Sequence, residues 1–297
     1  MFALCGVLDA DVVIPEFSSR AQLLGMVLLI TFLPVWLFAC FFVTQRHSLR
    51  LVQQLQRELF PEQDLVGMVT QLPGLQMALG FLGGAVYALA FNIPRSHFRE
   101  ALDGNLAVLS IFIGQLLLWL CVGVLLAVRL HIARIFFSLG KRVELSPFEQ
   151  SRLEPFARVG MLDVAIVVGG LVIGTVQSID AQFRLENYLS GLLVAIPAAA
   201  VLLIAPMWSL HRRLAARKRE LIAEVGTQLQ GASEASSVEQ INELESLLRR
   251  RERVRALNTW PLDVAIWRRL LFYGLLPPLA WSGAAIVEVM IERLIAP

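Results

Sequence analysis

Charge is what this chain is short of, and the shortage is local. Residues 21–45, 65–94, 104–128, 164–179, 187–211 and 270–287 contain no Lys, Arg, Asp or Glu. Charged residues make up 17% of the chain and hydrophobic ones 57%, against roughly 25% charged in an ordinary soluble domain. A soluble core does not require apolar runs of that length, whereas a helix crossing about 30 Å of hydrocarbon needs about 20 residues. Membrane barrels are excluded, because their strands alternate in polarity over only about ten residues. The fold class expected is all-α: a polytopic transmembrane helical protein with about six spans and a cytoplasmic helical hairpin or bundle.

Other absences narrow the function. The three cysteines, Cys5, Cys40 and Cys121, have no metal-ligand spacing, and two fall inside apolar stretches, so packing is their expected role. The four histidines, His47, His97, His131 and His211, stand at the ends of stretches rather than within them, which argues against a haem- or quinone-binding bundle. HExxH, Walker, dinucleotide-binding, CxxC and GxSxG strings are missing. His97, Glu100 and Asp103 have helical spacing and form the one polar group of catalytic character on the outer side. The chain is therefore not read as an enzyme, and no catalytic residue, metal or cofactor is expected. Met1–Ile14 lacks a basic n-region and carries Asp9 and Asp11, so a cleavable signal peptide is not expected there.

The basic residues orient the spans. Lys and Arg are concentrated on the cytoplasmic side of membrane proteins. Of the 26 here, all but Arg20, Arg95, Arg99, Arg184 and Arg293 fall on one side if six spans alternate. That predicts a multi-pass protein of a bacterial inner membrane with both termini extracytoplasmic. The spans expected are 22–43, 72–92, 105–128, 159–179, 188–209 and 267–289, with 65–72 an interfacial lead-in ending near Pro73. By domain, 1–21 is an extracytoplasmic segment. Residues 22–210 hold spans one to five, with cytoplasmic helical extensions near 44–64 and 129–158. A cytoplasmic hairpin occupies 211–258, and 259–297 holds span six and a short outer terminus.

The hairpin follows from local pattern. His211–Gln230 carries Leu214, Leu221, Val225 and Leu229 on one helical stripe, Gly231–Ser237 reads as a turn, and Val238–Leu257 resumes with Ile241, Leu244 and Leu248. Ser237 and Gln240 have capping-box spacing. Ser48–Phe60 continues span one as an amphipathic helix, and Arg129–Leu139 continues span three. The densest charge cluster is Arg249, Arg250, Arg251, Arg253 and Arg255. It reads as an inside-facing anchor on a solvated helix or as a site for anionic lipid headgroups. Nucleic acid is not an expected partner, since no binding module accompanies the cluster.

Polar and irregular positions at membrane depth are the candidate functional residues, because polar groups there cost free energy unless paired or wetted. Asp163 and Asp263 share the string Leu-Asp-Val-Ala-Ile and read as N-terminal caps or first-turn acids, or as ion-binding or gating groups. Arg158 is the basic residue nearest Asp163 in sequence. Gln115 and Gln177 read as interhelical hydrogen-bonding groups or as pathway lining. Pro277 and Pro278 break span six between Gly274 and Gly283, and their freed carbonyls need other partners. Glu288 and Glu292, one turn apart at its outer end, suit cation attraction or plain solvation. Pro34, Pro197 and Pro206 predict milder bends. Gly80, Gly83, Gly84, Gly170 and Gly174 permit close helix approach.

Two functions are carried forward. The first is a homo-oligomeric ion channel or pore-like transporter with span six beside the pathway, which needs self-association and membrane lipid. The second is a non-conducting scaffold or signalling protein that recruits a cytoplasmic partner or anionic lipid through 211–258. The long hairpin supports the second, since a simple pore does not require it.

Overall fold

The computed structural model describes residues 2, 7, 20–93, 95–143, 150–178, 185–231, 238–260, 268–269, 271–276, 279, 282–283 and 286. Eight α-helices order them: α1 (Arg20–Leu59), α2 (Leu65–Thr70), α3 (Gly74–Tyr87), α4 (Arg95–Leu102), α5 (Leu106–Gly140), α6 (Glu154–Gly174), α7 (Leu185–Gly231) and α8 (Val238–Ala256). A π-helical turn, Ala88–Asn92, prolongs α3, and 3-10 turns precede and follow α6 at Gln150–Leu153 and Thr175–Ser178. The protein is all-α. Among the described residues, five helical segments are long and apolar enough to cross a membrane, and they coincide with the first five expected spans. About half of the expected sixth, including Pro277, Pro278 and Glu288, lies outside the described residues, as do Glu292, Asp263 and Ser237.

The longest helices exceed what a bilayer needs. α1 has 40 residues and α7 has 47, about 60 and 70 Å at 1.5 Å per residue. The expected extensions beyond spans one and three are thus continuous with them, and the first arm of the hairpin is the lower part of α7 rather than a separate helix. Pro34, Pro197 and Pro206 sit inside α1 and α7, which run through them. α8 turns back along α7.

Four helices form a ring. α1 packs on α5 and α6, and α7 packs on the same two, so α1 faces α7 and α5 faces α6 across the interior. α3 lies outside the ring along α5. This last crossing is built on glycine: a Cβ on Gly80 would meet the Gly123 carbonyl at 2.6 Å, and one on Gly84 would reach within 3.1 Å of the Leu120 Cα. Gly83 and Gly174, by contrast, face open space. On α6, Gly160 admits the α7 backbone at Leu203, and Gly169 lies against the Trp36 ring.

Two apolar clusters fill the bundle. One, at the end rich in Lys and Arg, joins Val52 and Leu55 of α1, Ile132 and Phe136 of α5, Phe156 of α6 and Leu210 of α7. The other, toward the opposite end, joins Val27 and Ile30 of α1 with Val108, Ile111 and Trp119 of α5. Outward-facing positions are equally apolar: Phe38 and Phe42 on α1, Phe81 and Val86 on α3, Leu193 and Ile196 on α7 are all exposed. Such a belt suits lipid contact rather than water.

Helix ends at the basic end are closed by side chains. Arg213 Nη1 donates to the carbonyls of Lys141 (2.6 Å) and Val143 (2.8 Å) just past α5. Lys218 Nζ donates to those of Arg255 (2.6 Å) and Leu257 (2.7 Å) at the end of α8. Both satisfy terminal carbonyls where a cation is also favoured by the helix dipole. At the other end Asn105 caps α5, its Oδ1 accepting from Ala107 N and Val108 N, after a turn in which Gly104 has φ of 87°.

If glycine sets the α3–α5 distance, Gly84→Leu and Gly123→Leu should each lose about 1–3 kcal/mol of stability through overpacking. Gly83→Leu should be near neutral. Thermal unfolding of the purified variants in one detergent checks this, and equal losses at all three positions would contradict it.

Candidate functional site

A partly open cavity of about 400 Å³ lies between α1, α5, α6 and α7. Its wall is mostly apolar, with Met26, Ile30 and Leu33 from α1, Leu118, Trp119 and Val122 from α5, Val167 from α6, and Val194 and Ala198 from α7. Gln22, His97 and Ser190 lie toward one end, Gln115 lies below them, and Arg129 and Asp163 lie at the basic end.

Arg129 and Asp163 form an ion pair through Nε and Oδ1. Each residue is only 2% exposed. Arg129 Nη1 also donates to Ser48 Oγ at 3.0 Å, and Ser48 is fully buried. One guanidinium therefore links α5 to α6 across the ring and to α1 beside it. Ile132 and Phe136, further along α5, belong to the apolar cluster of the basic end, so this polar layer stands between that core and the cavity that Arg129 and Asp163 line.

The pairing follows from helix register. Arg129 is the first charge after stretch 104–128, and Asp163 is the last before stretch 164–179. Both thus come to the same depth on helices of opposite direction. The sequence reading missed Arg129, counting it as one of the orienting cations. The signal was present, however, since a lone acid at that depth calls for a partner on another span. One expectation for Asp163 is corrected. It is neither a cap nor a first-turn acid, because α6 starts at Glu154 and the acid is well inside it. Arg158, the nearest basic residue in sequence, pairs with Glu154 at 2.9 Å on the exposed side.

Gln115 is 6% exposed, and its Nε2 donates weakly to Met26 Sδ at 3.8 Å. Its Oε1 has no hydrogen-bond partner among the described residues. The same holds for Arg129 Nη2. Both residues line the cavity. Gln115 and Asp163 are thus brought together around one space. Gln177 lies in the 3-10 turn after α6. Gly274 and Gly283 fall in helical segments where an added Cβ would meet nothing within 4 Å.

Outside the cavity, the histidines at the basic end do not converge. His131 Nε2 lies 3.4 Å from the Met68 carbonyl, while His211 Nδ1 lies 3.2 Å from that of Thr259 and stacks on Trp260 at 4.1 Å. No group of three or more potential metal ligands occurs among the described residues. On α8, Arg249, Arg250, Arg253 and Arg255 are exposed and Arg251 is half-buried. Arg249 donates to Glu245 one turn earlier, and this hydrogen bond raises the guanidinium pKa above its ordinary value. Comparison of the chain with family models, curated proteins and solved structures returned no match.

An ion pair this buried should show strong coupling. Arg129→Met alone should destabilise by about 3–5 kcal/mol, because Asp163 is left charged and unpaired, whereas Arg129→Met with Asp163→Leu should be close to neutral. A double-mutant cycle by unfolding in detergent measures this. Additive losses would show that the pair does not hold the ring together.

Proposed function

We propose that the chain is a membrane transport protein, a channel or carrier, whose solute path uses the cavity inside the four-helix ring. The supporting observation is an intramembrane space with polar groups at intervals along it and a charged pair spanning its basic end. Ionisable groups at membrane depth are expensive and commonly mark substrate or ion paths. In this reading Arg129 and Asp163 act as a gate: their separation frees the diagonal between α5 and α6. The path lies within one chain, so it does not require a pore on an oligomer axis. Gly274 and Gly283 are not part of the cavity lining.

Thiol labelling tests the path. In a protein with Cys5, Cys40 and Cys121 replaced by Ala, single cysteines at Leu33, Val122 and Ala198 should react with a water-soluble methanethiosulfonate in proteoliposomes. Cysteines at Phe38 and Phe81, on the lipid side, should not. Absence of reaction at all three lining positions would sink the proposal.

A second reading is favoured by the four exposed arginines of α8: they hold anionic lipid headgroups at the basic face. Mass spectrometry of lipids retained by the purified protein should show enrichment of phosphatidylglycerol over phosphatidylcholine. The enrichment should fall about two-fold or more in Arg250→Gln/Arg253→Gln/Arg255→Gln, each arginine near an anionic surface contributing about 1 kcal/mol. Unchanged enrichment would discard this role.

A further inference from the structure

We infer that the groove between α3, α5 and α7 holds one acyl chain of an anionic phospholipid from the leaflet at the basic end, with Arg134 on its phosphate. The site is separate from the arginines of α8, and it requires no solute to pass through the interior cavity.

The groove has a volume of about 390 Å³, within the range of about 300–1,000 Å³ usual for small-molecule sites. Gly80, Gly84 and Gly123 hold α3 tightly against α5, while Gly83 beside them faces open space, an added Cβ meeting nothing within 4 Å. Leu79 and Gly83 of α3 and Leu126 and Leu130 of α5 line it. Leu79 is 58% exposed and Gly83 is exposed as well, so the groove opens outward, on the side of α3 away from the ring. At membrane depth that side meets hydrocarbon rather than water.

Length distinguishes a lipid chain from a partner helix. On α3 the lining runs from Gln76 to Tyr87, 11 residues and about 16 Å at 1.5 Å per residue. One leaflet supplies half of a hydrocarbon layer about 30 Å thick. The groove therefore matches a single leaflet, whereas a membrane-spanning helix of a partner or a second copy would need the full thickness. On α5 the lining continues from Trp119 to Arg134, 15 residues and about 22 Å. The extra length carries it past the hydrocarbon into the headgroup layer, with the arginine at its end.

Charge chooses the headgroup. Arg134 is exposed and forms no ion pair among the described residues. No acidic residue is among those lining the groove. A guanidinium at that depth matches a phosphate in geometry as well as charge. A zwitterionic headgroup brings its own cation to the same place, while an anionic one does not.

Photocrosslinking reads this site locally. The full-length protein is placed in phosphatidylcholine nanodiscs with a trace of phosphatidylglycerol that carries a diazirine midway along one acyl chain. Adducts formed on irradiation are mapped by peptide mass spectrometry. Adducts on residues 79–87 and 119–130 should fall when unlabelled phosphatidylglycerol replaces part of the phosphatidylcholine at constant tracer. Adducts at Phe38 and Phe42, on the open lipid face of α1, should not, because bulk lipid has no site to saturate. A phosphatidylcholine tracer with the same chain should give no displaceable adducts.

Arg134→Gln should weaken the displacement about five-fold, in line with one arginine at an anionic surface. Gly83→Leu puts a side chain into the groove and should abolish the displaceable adducts. If that variant does not elute as a folded, monodisperse species, Arg134→Gln decides alone. Arg250→Gln/Arg253→Gln/Arg255→Gln should leave the groove adducts unchanged, which separates this site from headgroup binding at α8. Four results would overturn the inference: groove adducts no more displaceable than those at Phe38, displacement unaltered by Arg134→Gln or by a folded Gly83→Leu, adducts lost with the α8 arginines, or crosslinks from the groove to a second copy of the chain in place of lipid.

Discussion

The guanidinium of Arg129 holds the centre of the molecule together. α5 and α6 face each other across the ring, and the contacts between them are few compared with those each makes to α1 and α7. The ion pair with Asp163 bridges that diagonal, and the hydrogen bond to Ser48 ties in α1. A buried pair is poor evidence of stability in itself, since desolvation of two charges offsets much of their attraction. What it supplies is geometry: with both groups 2% exposed, neither has water to fall back on if the helices shift. The layer also divides the interior, with apolar core on one side and a cavity on the other.

Around that layer, two kinds of packing do different work. Toward the basic end, side chains of α1, α2, α5, α6 and α7 interdigitate in one apolar cluster, as in a soluble bundle. At membrane depth there is no hydrophobic gain from leaving lipid, so helix approach depends on van der Waals contact and small residues. Gly80, Gly84 and Gly123 provide it between α3 and α5. Tyr87 adds a tie to α7, its hydroxyl donating to the Ser190 carbonyl at 2.7 Å while its ring packs on Trp119 at 4.4 Å. The cavity persists where the ring's inner faces are lined by side chains that do not meet.

Much of this was legible in residue order. The gaps in charge located five membrane-length helices, and the amphipathic pattern of Ser48–Phe60 identified the extension of α1. The lead-in at 65–72 is α2, capped by Asp64, whose Oδ1 accepts from Gly67 N at 3.0 Å. The glycine reading held for Gly80 and Gly84 and failed for Gly83 and Gly174, because periodicity does not say which side of a helix meets a neighbour. Asp163 was recognised as unusual, yet it was read as a cap or first-turn acid rather than as half of an ion pair. In a bundle, an acid's partner is set by depth and helix direction, so a residue 34 positions away serves better than one five away.

Composition and spacing alone determined that the chain is helical, that several helices are of membrane length, and that basic residues gather at one end. Those properties follow from the local cost of putting charge and unpaired backbone in hydrocarbon, which each segment meets independently. Only the tertiary structure decided that the helices close a ring, that Arg129 turns inward rather than snorkelling to water, and that Gln115 and Asp163 border one cavity. Such facts depend on which faces meet across the bundle, and a single helix's sequence does not contain its neighbour's position.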